Sequence, residues 1–223
     1  MLMFSVLPYQ FSTVTGAFMD ATLLVILTTP AIYFFVIRPF EEAQKEAIVH
    51  INHVAHTDLL TKLANRRLIL EYLETLVASN ARHKGFSAVL FIDLDGFKLI
   101  NDEHGHDAGD AVLIEVAERL KVSVRGDDIV GRLGGDEYIV LLRKLGAEDK
   151  IARYIAQYVA YKLIKQIVEP IEVNGNSVKV GASVGIRIFG AGHTDIDKLI
   201  SDANTAMYKA KEDGKSGVIF YGD

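Results

Sequence analysis

The chain has 223 residues, no cysteine, a net charge of −5, a mean hydropathy of +0.21 and 50% hydrophobic residues. That length allows one main domain and a smaller segment. The lack of cysteine excludes disulfides, thiolate nucleophiles and cysteine-ligated zinc. The negative balance excludes a chain whose whole surface binds polyanions, so phosphate chemistry must belong to a local site.

The apolar excess lies at the N-terminus, where Asp20 is the only charge between Met1 and Ile37. Residues 21–37 (ATLLVILTTPAIYFFVI) are uncharged. As a helix they span about 25 Å, and extending back to Gly16 reaches the ~30 Å of a hydrocarbon core. Pro30 inside such a helix is tolerated in a membrane. No basic n-region and no small-residue cleavage site precede Arg38, which argues against a signal peptide; a buried core helix is the competing reading. The expectation is one transmembrane helix over 21–37, contacting membrane lipid, after a short extracytoplasmic segment 1–20 that is too small for a folded sensor. Arg38 is the first basic residue, which places the C-terminal side in the cytoplasm of a single-pass protein of a bacterial-type inner membrane.

Residues 38–57 form an expected helical linker with a heptad-like series at Phe40, Ala43, Ala47, Ile51 and Val54. It reads equally as a solvated helix or as a parallel pair that dimerises the chain. His50, His53 and His56 recur every third residue, but helical spacing alone does not build a metal site.

From Asp58 the pattern turns globular. Asp58 is the expected N-cap of a helical region running through Leu70, Leu73 and Leu76. Phe86 to Asp93 (FSAVLFID) reads as a buried strand that ends in an acid, and 108–124 as a helix. Two short strands, 129–133 and 138–142, flank a glycine pair. A long helix over 148–168, a strand-rich stretch 177–189, a helix 196–211 and a last strand 217–221 complete the order. This is an α+β chain of ferredoxin-like (palm-type) βαββαβ order with additions, a sheet packed against helices.

Asp93 ends the first strand and Asp95 follows it; the glycine hairpin carries Asp136 and Glu137. In this order Asp93 and Asp136 converge at one edge of the sheet. Paired carboxylates repel unless a cation lies between them. Oxygen-only ligands favour Mg²⁺ or a similar hard ion, whose remaining positions go to substrate phosphates. Metal-assisted phosphoryl or nucleotidyl transfer is the chemistry indicated. The plain alternative is a turn at Asp95-Gly96 and a simple hairpin at Gly134-Gly135.

FIDLDGFKLINDEHGHDAGDAVL (91–113) followed by RLGGDEY resembles the GGDEF family of diguanylate cyclases. DLLTKLANRR (58–67) and DANTAMYKAKEDGK (202–215) resemble its opening and C-terminal motifs, so residues 58–223 are identified as a GGDEF catalytic domain. The resemblance implies condensation of two GTP into cyclic di-GMP by a homodimer, with two Mg²⁺ per half-site or Mn²⁺ in their place, and no nucleic-acid partner. It implies metal ligation by Asp93, the Leu94 carbonyl and Asp136. Glu137 is a further metal contact or the group that helps deprotonate the attacking hydroxyl. Asn101 and Asp110 read the guanine edge, and Lys98, Lys211 and Lys215 meet the triphosphate. Backbone N–H groups around Gly96 and Phe97 cradle phosphates, and Gly134 and Gly135 let the backbone approach the nucleotide. Arg125 and Asp128 form an RxxD pattern five residues ahead of Gly134, the spacing of an inhibitory product site; a solvated turn is the alternative. His106 is read as structural. Three departures stand out: Tyr138 replaces Phe with little expected effect, Lys215-Ser216 stands where Arg and Asn are usual, and no sensor domain is present. The competing functions are a catalytically silent GGDEF-like nucleotide-binding regulator, a cyclase making a mixed adenine dinucleotide, against which Asp110 argues, and a membrane scaffold.

Overall fold

The computed structural model describes residues 22–23, 26–30, 32–40, 56–192 and 195–222. The chain divides into two units, Met1–His53 and Val54–Asp223. In the first, the described residues are helical and exposed, and Tyr33–Ile37 takes π-helical pitch. Among the described residues no helix is long and apolar enough to cross a membrane. Residues 21, 24, 25 and 31 of the expected span lie outside the described residues, as do segment 1–20 and residues 41–55 of the expected linker.

The second unit runs α1 (Arg66–His83), β1 (Ser87–Asp95), α2 (Phe97–His104), α3 (His106–Ser123), β2 (Ile129–Gly134), β3 (Glu137–Leu142), α4 (Asp149–Ile167), β4 (Ile171–Val173), β5 (Asn176–Val178), β6 (Gly181–Phe189), α5 (Ile196–Glu212) and β7 (Val218–Phe220). Five strands form one mixed sheet in the order β2-β3-β1-β6-β7, and β4-β5 is a separate hairpin. All pairings in the large sheet are antiparallel except β6 with β7. Setting aside β7 and the small hairpin, this is the expected βαββαβ order. The β4–β5 hairpin turns at Asn174-Gly175, where both residues have positive φ, 51 and 81°. Asn-Gly between apolar residues is a strong hairpin signal, and it explains the strand that the reading of 177–189 missed.

The sheet has a core on each face. Ala88, Leu90, Ile92 and Leu94 of β1 pack with Val112, Val116 and Leu120 of α3 and Ala156 and Leu163 of α4. Val89 and Phe91 join Ile69 and Leu73 of α1 and Leu199 and Met207 of α5. A strand buried on both sides reads as an unbroken apolar run, as SAVLFI does. Each such side chain contributes about 1.5–3 kcal/mol on burial, and a one-residue slip would exchange the two faces. The register of β1, and with it the placing of Asp93, is therefore tightly set.

Asp58 does not cap a helix. Its carboxylate accepts from Thr61 N at 2.8 Å and Thr61 Oγ1 at 2.6 Å. Lys62 then takes φ 58°, which breaks any helix there. Asn65 caps α1 instead, accepting from Leu68 N at 3.1 Å. Ala64 between them bonds to the outer side of β2, through Ala64 N to Val130 O and Arg132 N to Ala64 O. The opening loop thus covers an otherwise bare sheet edge.

Candidate active site

The ladder between β1 and β3 sets Asp93 opposite Glu137. The β2–β3 register shifts between Arg132 and Gly134, and Gly134 pairs with Glu137. Gly135 and Asp136 are left as the turn. Gly135 sits at φ 52° and Gly134 at 149°, while a Cβ on either would meet nothing within 4 Å. Glycine is required here by backbone angle, and the space beside it is open. Leu94 N donates to Asp136 O at 3.3 Å, which ties the turn to the end of β1. The acids therefore meet at one edge of the sheet, the one formed by the ends of its central strands, because β1 lies in the middle of the sheet.

Lys211, in the last turn of α5, reaches this cluster, with Nζ 2.5 Å from Asp93 Oδ1. Asp93 is 7% exposed. Burial is the largest cause holding its carboxyl above the usual range, aided by the charges of Asp136 and Asp95 and opposed by Lys211. Glu137 is also raised, first by burial and then by Asp93 and Asp136. Burial pulls Lys211 down, yet the hydrogen bond and charge of Asp93, with Asp136 and Asp95, leave it above its ordinary value. Asp93 Oδ1 is buried and is paired with Lys211. Among the described residues no group of three His, Cys, Asp or Glu side chains is arranged to hold a metal.

The other expected nucleotide contacts lie on α2, α3 and the loop after α5. Phe97 and Lys98 open α2; Phe97 is buried and Lys98 exposed. Asn101, one turn on, lies against Gly109 of α3, where an added Cβ would fall 1.9 Å from Asn101 Oδ1 and 3.2 Å from the Phe97 ring. Gly109 is glycine because Asn101 occupies that space. Asp110, the next residue of α3, is exposed. Lys215 is exposed on the loop after α5 at φ 66°. The structure joins Asp93, Asp136, Glu137 and Lys211 in one electrostatic cluster; Lys98 and Lys215 are not part of it.

Three supporting residues escaped the sequence reading. Arg132 donates from Nε and Nη2 to Gly135 O at 3.0 and 2.7 Å, and from Nη1 to Asp58 at 3.0 Å. It braces the turn against the opening loop, and an arginine two residues ahead of a glycine pair was the only clue. Tyr138 is fully buried, and its hydroxyl donates to Leu113 O of α3 at 2.8 Å. Burial pushes the phenol well above its ordinary pKa. The extra hydroxyl is thus a link between the hairpin and the helix of Asp110. Asp95, read as a turn residue, bonds to Ser183 and Ser216.

Arg125 and Asp128 sit in the turn between α3 and β2, roughly 20 Å from the acids along a strand of this length. Asp128 is already engaged: Oδ2 accepts from Arg125 N and Oδ1 from Arg143 N, both at 3.1 Å. The turn borders two clefts, of about 460 and 170 Å³. Lys62, Tyr72 and Lys121 line the larger, Tyr154, Tyr158 and Lys162 the smaller, and Arg125 and Asp128 line both.

The family model described as diguanylate cyclase, GGDEF domain, matches residues 55–217. The bifunctional diguanylate cyclase/cyclic di-GMP phosphodiesterase MucR of Pseudomonas aeruginosa is 41% identical over 164 residues, covering 74% of this chain and 23% of MucR. Diguanylate cyclase TpbB of the same species is 39% identical over 165 residues, covering 73% of this chain and 37% of TpbB. The solved GGDEF domain of TpbB from Pseudomonas aeruginosa aligns at 37% identity with a TM-score of 0.69, over 74% of this chain and 94% of that one. The chain spans well under half the length of these two curated relatives. With a family match over most of its length, on the same strands and hairpin that gather the acids, the chain belongs to the GGDEF domain family.

Proposed function

We propose that this protein is a diguanylate cyclase that converts two GTP into cyclic di-GMP and two pyrophosphates. The observation that carries this reading is the register of β1 with β3, which sets Asp93 against Glu137 beside Asp136, with Lys211 facing them. Each 3′-hydroxyl attacks the α-phosphorus of the other nucleotide. An O–P bond forms, the bond to the pyrophosphate breaks, and the hydroxyl proton leaves. Glu137, whose carboxyl is held above the usual range first by burial and then by Asp93 and Asp136, is suited to take that proton. Asp110 accepts from guanine N1–H and its exocyclic amine, and Asn101 completes the edge. Lys98, Lys211 and Lys215 neutralise the triphosphate.

The donors fit a hard divalent cation. They are all oxygen, and Asp93, Asp136 and Glu137 lie close enough for their charges to act on one another, a repulsion that a cation between them would relieve. Mg²⁺ held by one or two carboxylates shares its shell with substrate phosphates. Asp93, the Leu94 carbonyl, Asp136 and Glu137 would hold Mg²⁺ or Mn²⁺, which would supply charge stabilisation at the phosphate oxygens.

One domain holds one GTP, so two must face each other, and a homodimer turns the bimolecular step into one of geometry. Residues 38–57 are proposed as the dimerising linker, and 21–37 as a single inner-membrane anchor with the catalytic domain in the cytoplasm. Product inhibition through Arg125 and Asp128 belongs to the same reading, supported by the two clefts that share them. The test is to incubate the full chain in lipid bilayers with GTP and Mg²⁺ and to identify the product by chromatography and mass. Cyclic di-GMP is expected. GTP binding without product would turn the reading to a silent nucleotide-binding regulator.

A further inference from the structure

Asp95 lies two residues beyond Asp93 on the same face of β1. Other elements engage its carboxylate. Ser183 Oγ of β6 donates to it, 2.9 Å from Oδ1 and 3.0 Å from Oδ2. Ser216 N donates to Oδ2 at 2.9 Å, and Ser216 Oγ lies 3.4 Å away. Ser183 is wholly buried and sits opposite Asp93 in the β1–β6 ladder. Asp95 is therefore anchored in the sheet on one side and grips the loop after α5 on the other.

That loop is closely defined. Lys215 N donates to Ala210 O at 3.2 Å, closing the last turn of α5, and Gly217 O accepts from Val184 N at 2.9 Å. Between these ties Lys215 and Ser216 are both left-handed, with φ 66 and 50°. Two successive side-chain-bearing residues hold that conformation only when their surroundings enforce it. The loop also presses on the sheet, since a Cβ on Gly181, opposite Asp95, would fall 2.6 Å from Ser216 Oγ and 3.1 Å from Asp95 Cβ. Asp95 is near enough to Asp93 and Lys211 for its charge to act on both.

We propose that Asp95 is a positioning residue: by clamping Ser216 to Ser183 it fixes the strained Lys215–Ser216 turn beside Lys211, so that both lysines meet the phosphate chain of the bound nucleotide. This rests on the GTP reading above. The base is held elsewhere, on α2 and α3, so the clamp acts on phosphate affinity and leaves base affinity alone.

The test compares GTP and guanosine binding by calorimetry with the full chain and its variants. Asp95→Ala and Ser183→Ala are each expected to weaken GTP by about tenfold, the scale of one charge-assisted hydrogen bond, with guanosine affinity unchanged. Asp95→Asn keeps an acceptor for Ser216 N and is expected to retain GTP affinity. Full GTP affinity in both Asp95→Ala and Ser183→Ala would overturn the proposal, as would parallel loss of GTP and guanosine. A parent chain that shows no preference for GTP over guanosine would overturn the GTP reading itself, a distinct result.

Discussion

Lys211 Nζ lies 2.5 Å from Asp93 Oδ1, joining the last turn of α5 to the end of β1, two elements far apart in the chain. This is the one cation in direct contact with the acids among the described ion pairs of the cluster. It offsets part of what raises both Asp93 and Glu137, which is burial first and then repulsion among the acids.

The two raised carboxyls have a pH signature. A carboxyl whose folded pKa is raised stabilises the fold below its unfolded pKa, and the contribution is lost as pH rises through the folded pKa. Asp93 and Glu137 thus weaken the fold from the ordinary carboxylate range upward. Glu137→Gln is expected to raise stability at pH 7 by a few tenths of a kcal/mol, since the site is half open to water, and to leave it unchanged near pH 3. Turnover is expected to fall at least 100-fold. Thermal unfolding at the two pH values, with a rate assay, checks this; an equal gain at both would remove the charge of Glu137 as the cause.

Gly109 tests the guanine pocket. Alanine there would collide with Asn101 Oδ1 at 1.9 Å. Gly109→Ala is expected to cost about 1–3 kcal/mol of stability from overpacking and to weaken GTP more than ATP. Competition binding of the two nucleotides reads the effect.

The RxxD turn offers one clean variant and one that is not. Arg125 enters the turn bonding through its backbone, its N–H donating to Asp128 Oδ2 and its carbonyl accepting from Asp128 N, whereas Asp128 uses both carboxylate oxygens. Arg125→Ala is expected to abolish product inhibition with stability and initial rate preserved. Asp128→Ala is expected to lose about 1–2 kcal/mol as well, because two backbone N–H groups lose their acceptor. Initial rates against added cyclic di-GMP, with urea melts, separate the two; inhibition unchanged in Arg125→Ala would remove the site.

Arg132→Lys tests the brace on the hairpin. A lysine cannot reproduce the fork that serves Gly135 O and Asp58 together. A loss of about 1–2 kcal/mol is expected, with turnover reduced more than GTP affinity because the turn carries Asp136. Urea unfolding and a kcat against KM comparison check it.

The acids were legible because Asp93, Asp136 and Glu137 occupy strand ends and a glycine turn, where local pattern and position agree. The fold order was legible from the apolar periods of β1, α3 and α4. The braces were not. Arg132 meets Asp58 74 residues away, and Asp95 meets Ser216 121 residues away, so no local pattern marks either pair. Asp58 looked like a helix cap because its side chain does bond three residues ahead; Asn65 makes the same bond and wins because the residues after it continue as helix. Tyr138 appeared to be an idle change of ring, since only the tertiary fold brings Leu113 O to its hydroxyl.

The most direct test of the central claim, that the Asp93–Asp136 end of the sheet is where metal and GTP meet, is calorimetry of GTP binding with and without Mg²⁺ in the parent chain and in Asp136→Asn. The expected result is tight binding that needs Mg²⁺ in the parent and weak, Mg²⁺-independent binding in the variant. Equal Mg²⁺-dependent binding by both would contradict it.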